Sequence, residues 1–164
     1  MKMKRLFLIL ILFGTLLLCG CRQEHAILDY QNKDISAECV INGKYRAVIL
    51  KNNKACTVEI IEPKEAQGIS FEIGEKAYAV TGNTKIEIDK SHIKGICALS
   101  EIFSQSEECM TSAAEQGKGS VLTFQKEECT YQITLGENSI PKRVKIISEA
   151  FEYDVEICAI ELTS

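Results

Sequence analysis

The sequence predicts one mainly antiparallel β domain with one or two inserted helices, arranged as a curved sheet (a half-barrel) with a helix across its concave face. Two observations predict this fold. Short apolar runs alternate with turn signals along most of the chain, and one central segment changes to helical periodicity. At 164 residues the chain has room for one domain. A β-sandwich is the alternative architecture for the same pattern.

The first strands are predicted at 35–41 and 44–50, joined by Asn42-Gly43, which favours a type I′ hairpin turn. This turn places Val40 opposite Tyr45, and a second hairpin through Asn52-Asn53 places Ile49 opposite Cys56. Cys39 then lies on the other face from Cys56, so these two thiols are not expected to bond. One predicted face carries Val40, Tyr45, Ala47, Ile49, Cys56, Val58 and Ile60.

Two more hairpins are predicted beyond the Glu62-Pro63 break. Residues 69–73 alternate cleanly, and a turn at Gly74-Glu75 leads into 76–80, which pairs Phe71 with Tyr78 on one face. A turn at Gly82-Asn83 leads into a strand at 84–88.

The central segment, about 89–104, has the spacing of an amphipathic helix. Its apolar stripe consists of Ile93, Ile96, Cys97, Leu99, Ile102 and Phe103. A second short helix is predicted from Cys109, Met110, Ala113 and Ala114, ending before Gly117.

The C-terminal part returns to strands, at 120–125, 129–135, 142–148 and 152–162. A turn near Glu149-Ala150 places Val144 opposite Val155 and Ile146 opposite Tyr153. The prediction is therefore roughly ten short strands in meander order, with the helices after the sixth.

The N-terminus has the features of a targeting signal. Residues 1–5 include three basic side chains, residues 6–18 form an apolar run broken only by Gly14 and Thr15, and the run is too short to span a membrane. Leu18-Cys19-Gly20-Cys21 resembles the bacterial lipobox, which implies cleavage between Gly20 and Cys21 and a palmitate-containing diacylglyceryl group on Cys21. We therefore predict a signal peptide (1–20), a lipidated tether (21–34), a β-rich domain (35–164) and attachment to the extracytoplasmic face of the cell membrane. An uncleaved anchor or a plain secreted protein is the alternative.

The charge balance argues against nucleic-acid partners. Removing residues 1–20 removes three of the 19 basic residues and none of the 23 acidic ones, which leaves a mature net charge of −7. An acidic body is repelled by phosphate backbones and by anionic headgroups. Membrane attachment is therefore expected from the lipid on Cys21, and no nucleic-acid binding is expected.

Six cysteines remain after Cys19 and Cys21 are set aside: Cys39, Cys56, Cys97, Cys109, Cys129 and Cys158. An exported protein with six cysteines allows 15 disulfide pairings. Because no CxxC occurs and each cysteine lies in an apolar run, we predict mostly free, buried thiols. A thiol-based redox or metal protein is a further hypothesis, without a spacing signature to support it.

The sequence of elements resembles a known superfamily. A lipobox, a hairpin-rich N-terminal sheet, a helical insertion and a C-terminal meander are similar to the LolA/LolB-like lipoprotein carriers. The segments TVEIIEP (57–63), GISFEI (68–73) and SIPKRVKI (139–146) carry the resemblance. It implies a hydrophobic cavity for acyl chains between sheet and helix, lined by Tyr45, Ile49, Ile60, Phe71, Tyr78, Phe124, Tyr131 and Tyr153. Alternatively, these side chains fill the core.

No residue pattern indicates catalysis or a cofactor. His92 is a polar residue near a helix start, and Glu107-Glu108 and Glu127-Glu128 lie in polar breaks, where solvated turns are expected. Gly117-Lys118-Gly119 does not match a phosphate-binding loop. We therefore expect a non-catalytic, lipid-binding envelope lipoprotein; the alternative is a structural lipoprotein with a filled core and an envelope protein as partner.

Overall fold

The first and last of the described strands pair with each other in the middle of the sheet. The computed structural model describes residues 33–52, 54–116, 119–136 and 139–163. They form an eleven-stranded antiparallel sheet in the order β6-β5-β4-β3-β2-β1-β11-β10-β9-β8-β7. The β1–β11 pairing joins two meanders, β1–β6 and β7–β11, into one sheet. The predicted signal peptide, Cys21 and nearly all of the predicted tether lie outside the described residues.

The strands follow the predicted meander closely, with one helix after the sixth strand. The elements are β1 (Asp34–Ile41), β2 (Tyr45–Lys51), β3 (Cys56–Glu62), β4 (Ile69–Ile73), β5 (Ala77–Thr81), β6 (Thr84–Ile88), α1 (Lys94–Ser100), β7 (Met110–Gln116), β8 (Gly119–Lys126), β9 (Cys129–Leu135), β10 (Pro141–Ile147) and β11 (Glu152–Thr163). Single 3₁₀ turns occupy Lys64–Ala66, Lys90–Ile93 and Glu107–Cys109. Every described strand lies between residues 34 and 163, so a chain starting at residue 22 contains the whole sheet.

The predicted fold class is confirmed. The sheet is curved and open, and α1 lies on its concave face against β2, β3 and β4. Asp89 starts the helical segment, since its side chain accepts a hydrogen bond from the backbone N–H of Ser91 at 2.8 Å. The segment buries Ala98, Leu99, Ile102 and Phe103 against the sheet, as its apolar stripe predicts.

The two faces of the sheet differ in chemistry. The concave face carries the apolar core, whose strand residues include Ile49, Val58, Leu122, Ile133 and Val144, all essentially inaccessible to solvent. The convex face carries cross-strand ion pairs, among them Lys85–Glu72, Arg143–Asp154 and Lys145–Glu152. This alternation of apolar and charged residues is what a sheet covered on one side requires.

The register of the first hairpin differs from the prediction by one residue. Asn42 and Gly43 both have positive φ, as a type I′ turn requires, but Lys44 adds a third loop residue and Ile41 pairs with Tyr45. Cys39 therefore faces the core opposite Ala47, and Val40 lies on the convex face; the predicted faces of both were wrong. The extra residue places the apolar side chains of both strands on the concave face: Ile35, Ala37, Cys39, Ile41, Ala47 and Ile49.

The next two hairpins also have longer loops than predicted. The second loop has four residues, 52–55, and the Asn52 side chain accepts hydrogen bonds from two backbone N–H groups within it. Ile49 thus pairs with Val58 and not with Cys56, although the predicted face is kept because the shift is two residues. In the β4–β5 hairpin, Ile73 pairs with Ala77 and Phe71 with Ala79. Tyr78 consequently lies on the convex face, opposite Glu72, so its predicted inward position was wrong.

Other predicted details are confirmed or corrected by the second meander. Val144 pairs with Val155 and Ile146 with Tyr153, as predicted. The Gly82-Asn83 turn also forms, with Gly82 at positive φ and Thr81 paired with Thr84. The predicted second helix is wrong, because Met110–Gln116 is the edge strand β7, paired with β8.

All six described cysteines are free, as predicted. Only Cys39 and Cys56 are buried, however; Cys97, Cys109 and Cys129 are half-buried, and Cys158 is exposed. The prediction of burial therefore holds for two of the six. Contrary to prediction, Cys39 and Cys56 both face the concave side.

Candidate functional site

Two adjoining cavities open beside α1, at the end of the sheet that carries the β2–β3, β4–β5, β8–β9 and β10–β11 turns. Each has a volume of about 470 Å³. They share five lining residues: Ile73, Lys90, Ser100, Glu101 and Lys126. We call the two cavities together the groove.

The first, which we call the aromatic cavity, lies between the helical segment and the β8–β9 and β10–β11 turns. Its less polar wall consists of Ile73, Cys97, Ala98, Cys129, Tyr131 and Phe151. The Phe151 ring stacks on Tyr153, with ring centroids 5.0 Å apart. Phe151 therefore contributes an aromatic ring to the wall of the cavity directly after the β10–β11 turn.

Two ion pairs connect the helical segment to the β8–β9 hairpin across the aromatic cavity. Lys94 Nζ lies 2.9 Å from Glu128 Oε2, and Lys126 Nζ lies 3.1 Å from Glu101 Oε2. The hydrogen bond to Glu128 raises the pKa of Lys94. Both pairs are partly exposed, so they contribute little to stability; their effect is to balance the charge of the three lysines and three glutamates around this cavity.

The second, which we call the lysine cavity, lies between the helical segment and the β2–β3 and β4–β5 turns. Its charged residues are Lys51, Lys54, Lys90, Lys126 and Glu101. The Lys51 side chain is unusual because it is only 9% exposed, and burial lowers its pKa. Its Nζ donates to the backbone oxygen of Lys33 at 3.3 Å, while Lys90 Nζ donates to the backbone oxygen of Gly74 at 2.6 Å.

The thiols of the aromatic cavity are poorly suited to nucleophilic chemistry. Burial raises the pKa of both Cys97 and Cys129, and a thiol with a raised pKa holds little thiolate at neutral pH. Burial also raises the pKa of Tyr131, which hydrogen-bonds Cys129. Across the described ranges, no group of three or more His, Cys, Asp or Glu side chains is arranged to hold a metal ion.

Of the eight side chains expected to line a ligand cavity, the structure brings Tyr131 into the groove. Ile49 and Phe124 are buried in the core, and Ile60, Phe71 and Tyr153 are half-buried against it. Tyr45 is 39% exposed. Tyr78 lies on the convex face, where Lys85 Nζ is 4.4 Å from the centre of its ring.

Sequence reasoning missed the lysines of the groove and the role of one acidic pair. Glu127-Glu128, expected to be a solvated turn, lines the aromatic cavity. Glu108 is exposed, as expected for a polar break. The order of the predicted strands could have identified the lysines. Lys51, Lys54 and Lys126 lie at or beside turns that a meander places at one end of the sheet.

Comparisons with known proteins give likeness of fold only. No protein-family model and no curated protein matches the chain. An uncharacterised conserved protein from Thermus thermophilus is similar in structure, with a TM-score of 0.51 and 12% identity, over 84% of this chain and 86% of that one. At this identity the likeness supports the fold and says nothing about activity.

Two further structural neighbours have lower scores. One is a LolA superfamily protein from Nitrosomonas europaea, with a TM-score of 0.43 and 11% identity, over 85% of this chain and 93% of that one. The other is a domain assigned to an outer membrane lipoprotein-sorting protein of Vibrio parahaemolyticus, with a TM-score of 0.44 and 9% identity, over 82% and 86% of the two chains. No helix within the described part of the chain is long and apolar enough to cross a membrane.

Proposed function

We propose that the chain is a membrane-anchored lipoprotein of the cell envelope that binds a hydrophobic or lipid ligand in the groove and has no catalytic role. The observation that carries the proposal is the aromatic cavity beside α1. Its volume of about 470 Å³ falls within the range of about 300–1,000 Å³ that is usual for small-molecule sites. Its aromatic and aliphatic wall, bounded by balanced charges, suits a ligand with an apolar body.

The point where the chain enters the sheet supports a ligand taken from a membrane. The Lys33 carbonyl contacts Lys51, a residue of the lysine cavity, so the chain reaches β1 at the end of the sheet that carries the groove. If Cys21 carries a diacylglyceryl group, the twelve residues 22–33 can span at most about 40 Å. The mouth of the groove would therefore stay close to the membrane surface.

Native mass spectrometry of residues 22–164, produced in bacterial cytoplasm, tests the binding function. We expect an adduct of lipid mass that is lost on organic extraction. Phe151→Asp should abolish the adduct, because it places a charge in the aromatic cavity. Ile86→Asp is the matched control, since Ile86 is 56% exposed on β6 and outside the groove. A bare polypeptide from the unsubstituted chain, or an adduct that survives Phe151→Asp, would contradict the proposal.

A separate experiment tests anchoring. Cys21→Ala in the full chain should abolish labelling by radioactive palmitate and move the protein out of the membrane fraction, because two acyl chains give firm membrane attachment. Continued labelling and membrane retention would show that Cys21 is not the lipid attachment site.

A structural or interaction lipoprotein with an envelope protein as partner is the second candidate. The observation that favours it is the filled centre of the concave face, where predicted lining residues such as Ile49 and Phe124 are packed away from solvent. In addition, β6 and β7 each have one neighbouring strand within the described sheet, and such edges can pair with another chain. A bare polypeptide in the mass-spectrometry experiment would favour this candidate.

A further inference from the structure

We propose that the ligand is an anionic amphiphile whose charged headgroup occupies the lysine cavity while its chain occupies the aromatic cavity. This inference rests on the proposed function and specifies the ligand class for the same groove. It follows from the charges of the two cavities, from the burial of Lys51 and from the way in which the cavities adjoin.

The lysine cavity is cationic in an acidic protein. Four lysines line it against one carboxylate, Glu101, whereas the whole chain has a net charge of −4. The aromatic cavity has equal numbers of lysines and glutamates. An anion is therefore attracted to the lysine cavity more strongly than to the aromatic cavity.

Lys51 gives the lysine cavity a buried cationic group. Its residue is 9% exposed, in contact with the Lys33 carbonyl, and burial lowers its pKa. The charge of Asp34 offsets only part of this effect, and an anion in the cavity can accept charge-assisted hydrogen bonds from Lys51, which are stronger than neutral ones. Lys54 and Lys90 are exposed and can add to this attraction from the mouth.

The position of the shared wall suits a ligand with two chemically different parts. Lys90, Lys126 and Glu101 belong to both cavities, so a headgroup among the lysines is next to the aromatic cavity. Each cavity is about 470 Å³ in volume, which provides separate room for a headgroup and for part of a chain.

Isothermal titration calorimetry on residues 22–164 with three probes tests the inference: dodecyl phosphate, 1-dodecanol and inorganic phosphate, the first two below their solubility limits. We expect dodecyl phosphate to bind about tenfold more tightly than 1-dodecanol, which has the same chain without the charge. The double variant Lys54→Gln/Lys90→Gln should reduce the preference to about threefold or less by weakening dodecyl phosphate binding. Lys64→Gln/Lys142→Gln is the matched control, because both lysines are exposed at the opposite end of the sheet.

A second variant, Lys51→Met, keeps the aliphatic stem and removes the buried amine, so it should lower dodecyl phosphate affinity further. If Lys51→Met fails to fold, the double variant of exposed lysines still decides the question.

Equal binding of dodecyl phosphate and 1-dodecanol by the unsubstituted chain overturns the headgroup assignment but leaves lipid binding in place. An unchanged preference in the double variant also overturns it. Inorganic phosphate binding as tightly as dodecyl phosphate indicates a site for a free anion, while failure of both chain-bearing probes contradicts the proposed function itself.

Discussion

The concave face of the sheet has two regions with opposite character. At its centre, Ile49, Val58, Leu122, Ile133 and Val144 are packed away from solvent; we call these five residues the packed centre. At one end, the groove is lined by lysines, glutamates and thiols, among them the half-buried Cys97 and Cys129. The seven-residue helix α1 is only about 10 Å long at 1.5 Å per residue, so it can cover part of a curved eleven-stranded sheet but not all of it. One short helix therefore stabilises the centre and leaves the end of the concave face open as a groove.

Thiol reactivity should show the largest difference between the regions. Cys39, next to the packed centre, has its pKa raised to about 12, mainly by burial, which at pH 8 lowers its thiolate fraction roughly a thousand-fold relative to an ordinary thiol. Cys129 lines the groove and is half-buried. Iodoacetamide labelling followed by peptide mass spectrometry should therefore modify the exposed Cys158 first, Cys129 later and Cys39 last. Labelling of Cys129 as slow as that of Cys39 would mean that the groove is closed in solution.

Two phenylalanines, one in each region, test how much each region contributes to the free energy of unfolding. Phe124 is 1% exposed within the core, so Phe124→Ala should lower the free energy of unfolding by about 3–5 kcal/mol. Phe151→Ala in the groove removes a half-buried ring and its stacking on Tyr153, which should cost only about 1–2 kcal/mol. Urea denaturation followed by circular dichroism measures both. Equal losses would show that the groove is as important to stability as the core.

The outcome of the sequence prediction follows the same division. Turns and strands with strong local signals were predicted, including the Gly82-Asn83 turn and the Val144–Val155 register. The wrong predictions concern segments whose structure depends on contacts with residues distant in the sequence. Lys44 becomes a loop residue because β1 and β2 must turn their apolar side chains to the same face, and Ala113 and Ala114, good helix formers, lie in a strand because β8 is available to pair with them.

The candidate site was less predictable than the fold. Tyr131 was the one expected cavity residue that lines the groove, because facing inward on a strand does not determine whether a side chain meets α1 or a cavity. The groove lysines come from separate turns and from the helical segment, and their proximity depends on the β1–β11 pairing that joins the meanders. No local pattern encodes a pairing between the first and last strands.

Gly95 marks the contact between α1 and the second meander. A Cβ at this position would overlap the hydroxyl oxygen of Tyr153 and lie 3.0 Å from its ring. Alanine favours helix by up to about 1 kcal/mol over glycine, but the overlap costs about 1–3 kcal/mol, so Gly95→Ala should destabilise the protein by about 1 kcal/mol. Tyr153→Phe in the same chain removes the closest atom and should recover part of this loss. A Gly95→Ala protein as stable as the original would show that α1 can move away from β11 at little cost.

The smallest effect is expected on the convex face, behind the packed centre. The hydrogen bond from Arg143 lowers the pKa of Asp154, and Arg143 Nε donates to its Oδ1 at 2.6 Å. Because the Arg143 and Asp154 side chains are 63% and 42% exposed, Asp154→Asn should cost about 0.5 kcal/mol or less at pH 7. The folded-state pKa lies below the unfolded value of about 3.9, so the contribution is present above about pH 4 and is lost as pH falls through the folded-state pKa. Unfolding curves of the two proteins should thus differ slightly at pH 7 and converge near pH 2–3. A difference that grows in acid would contradict the pairing of Asp154 with Arg143. A difference of several kcal/mol at pH 7 would show that the convex face contributes to stability on the scale of the packed centre.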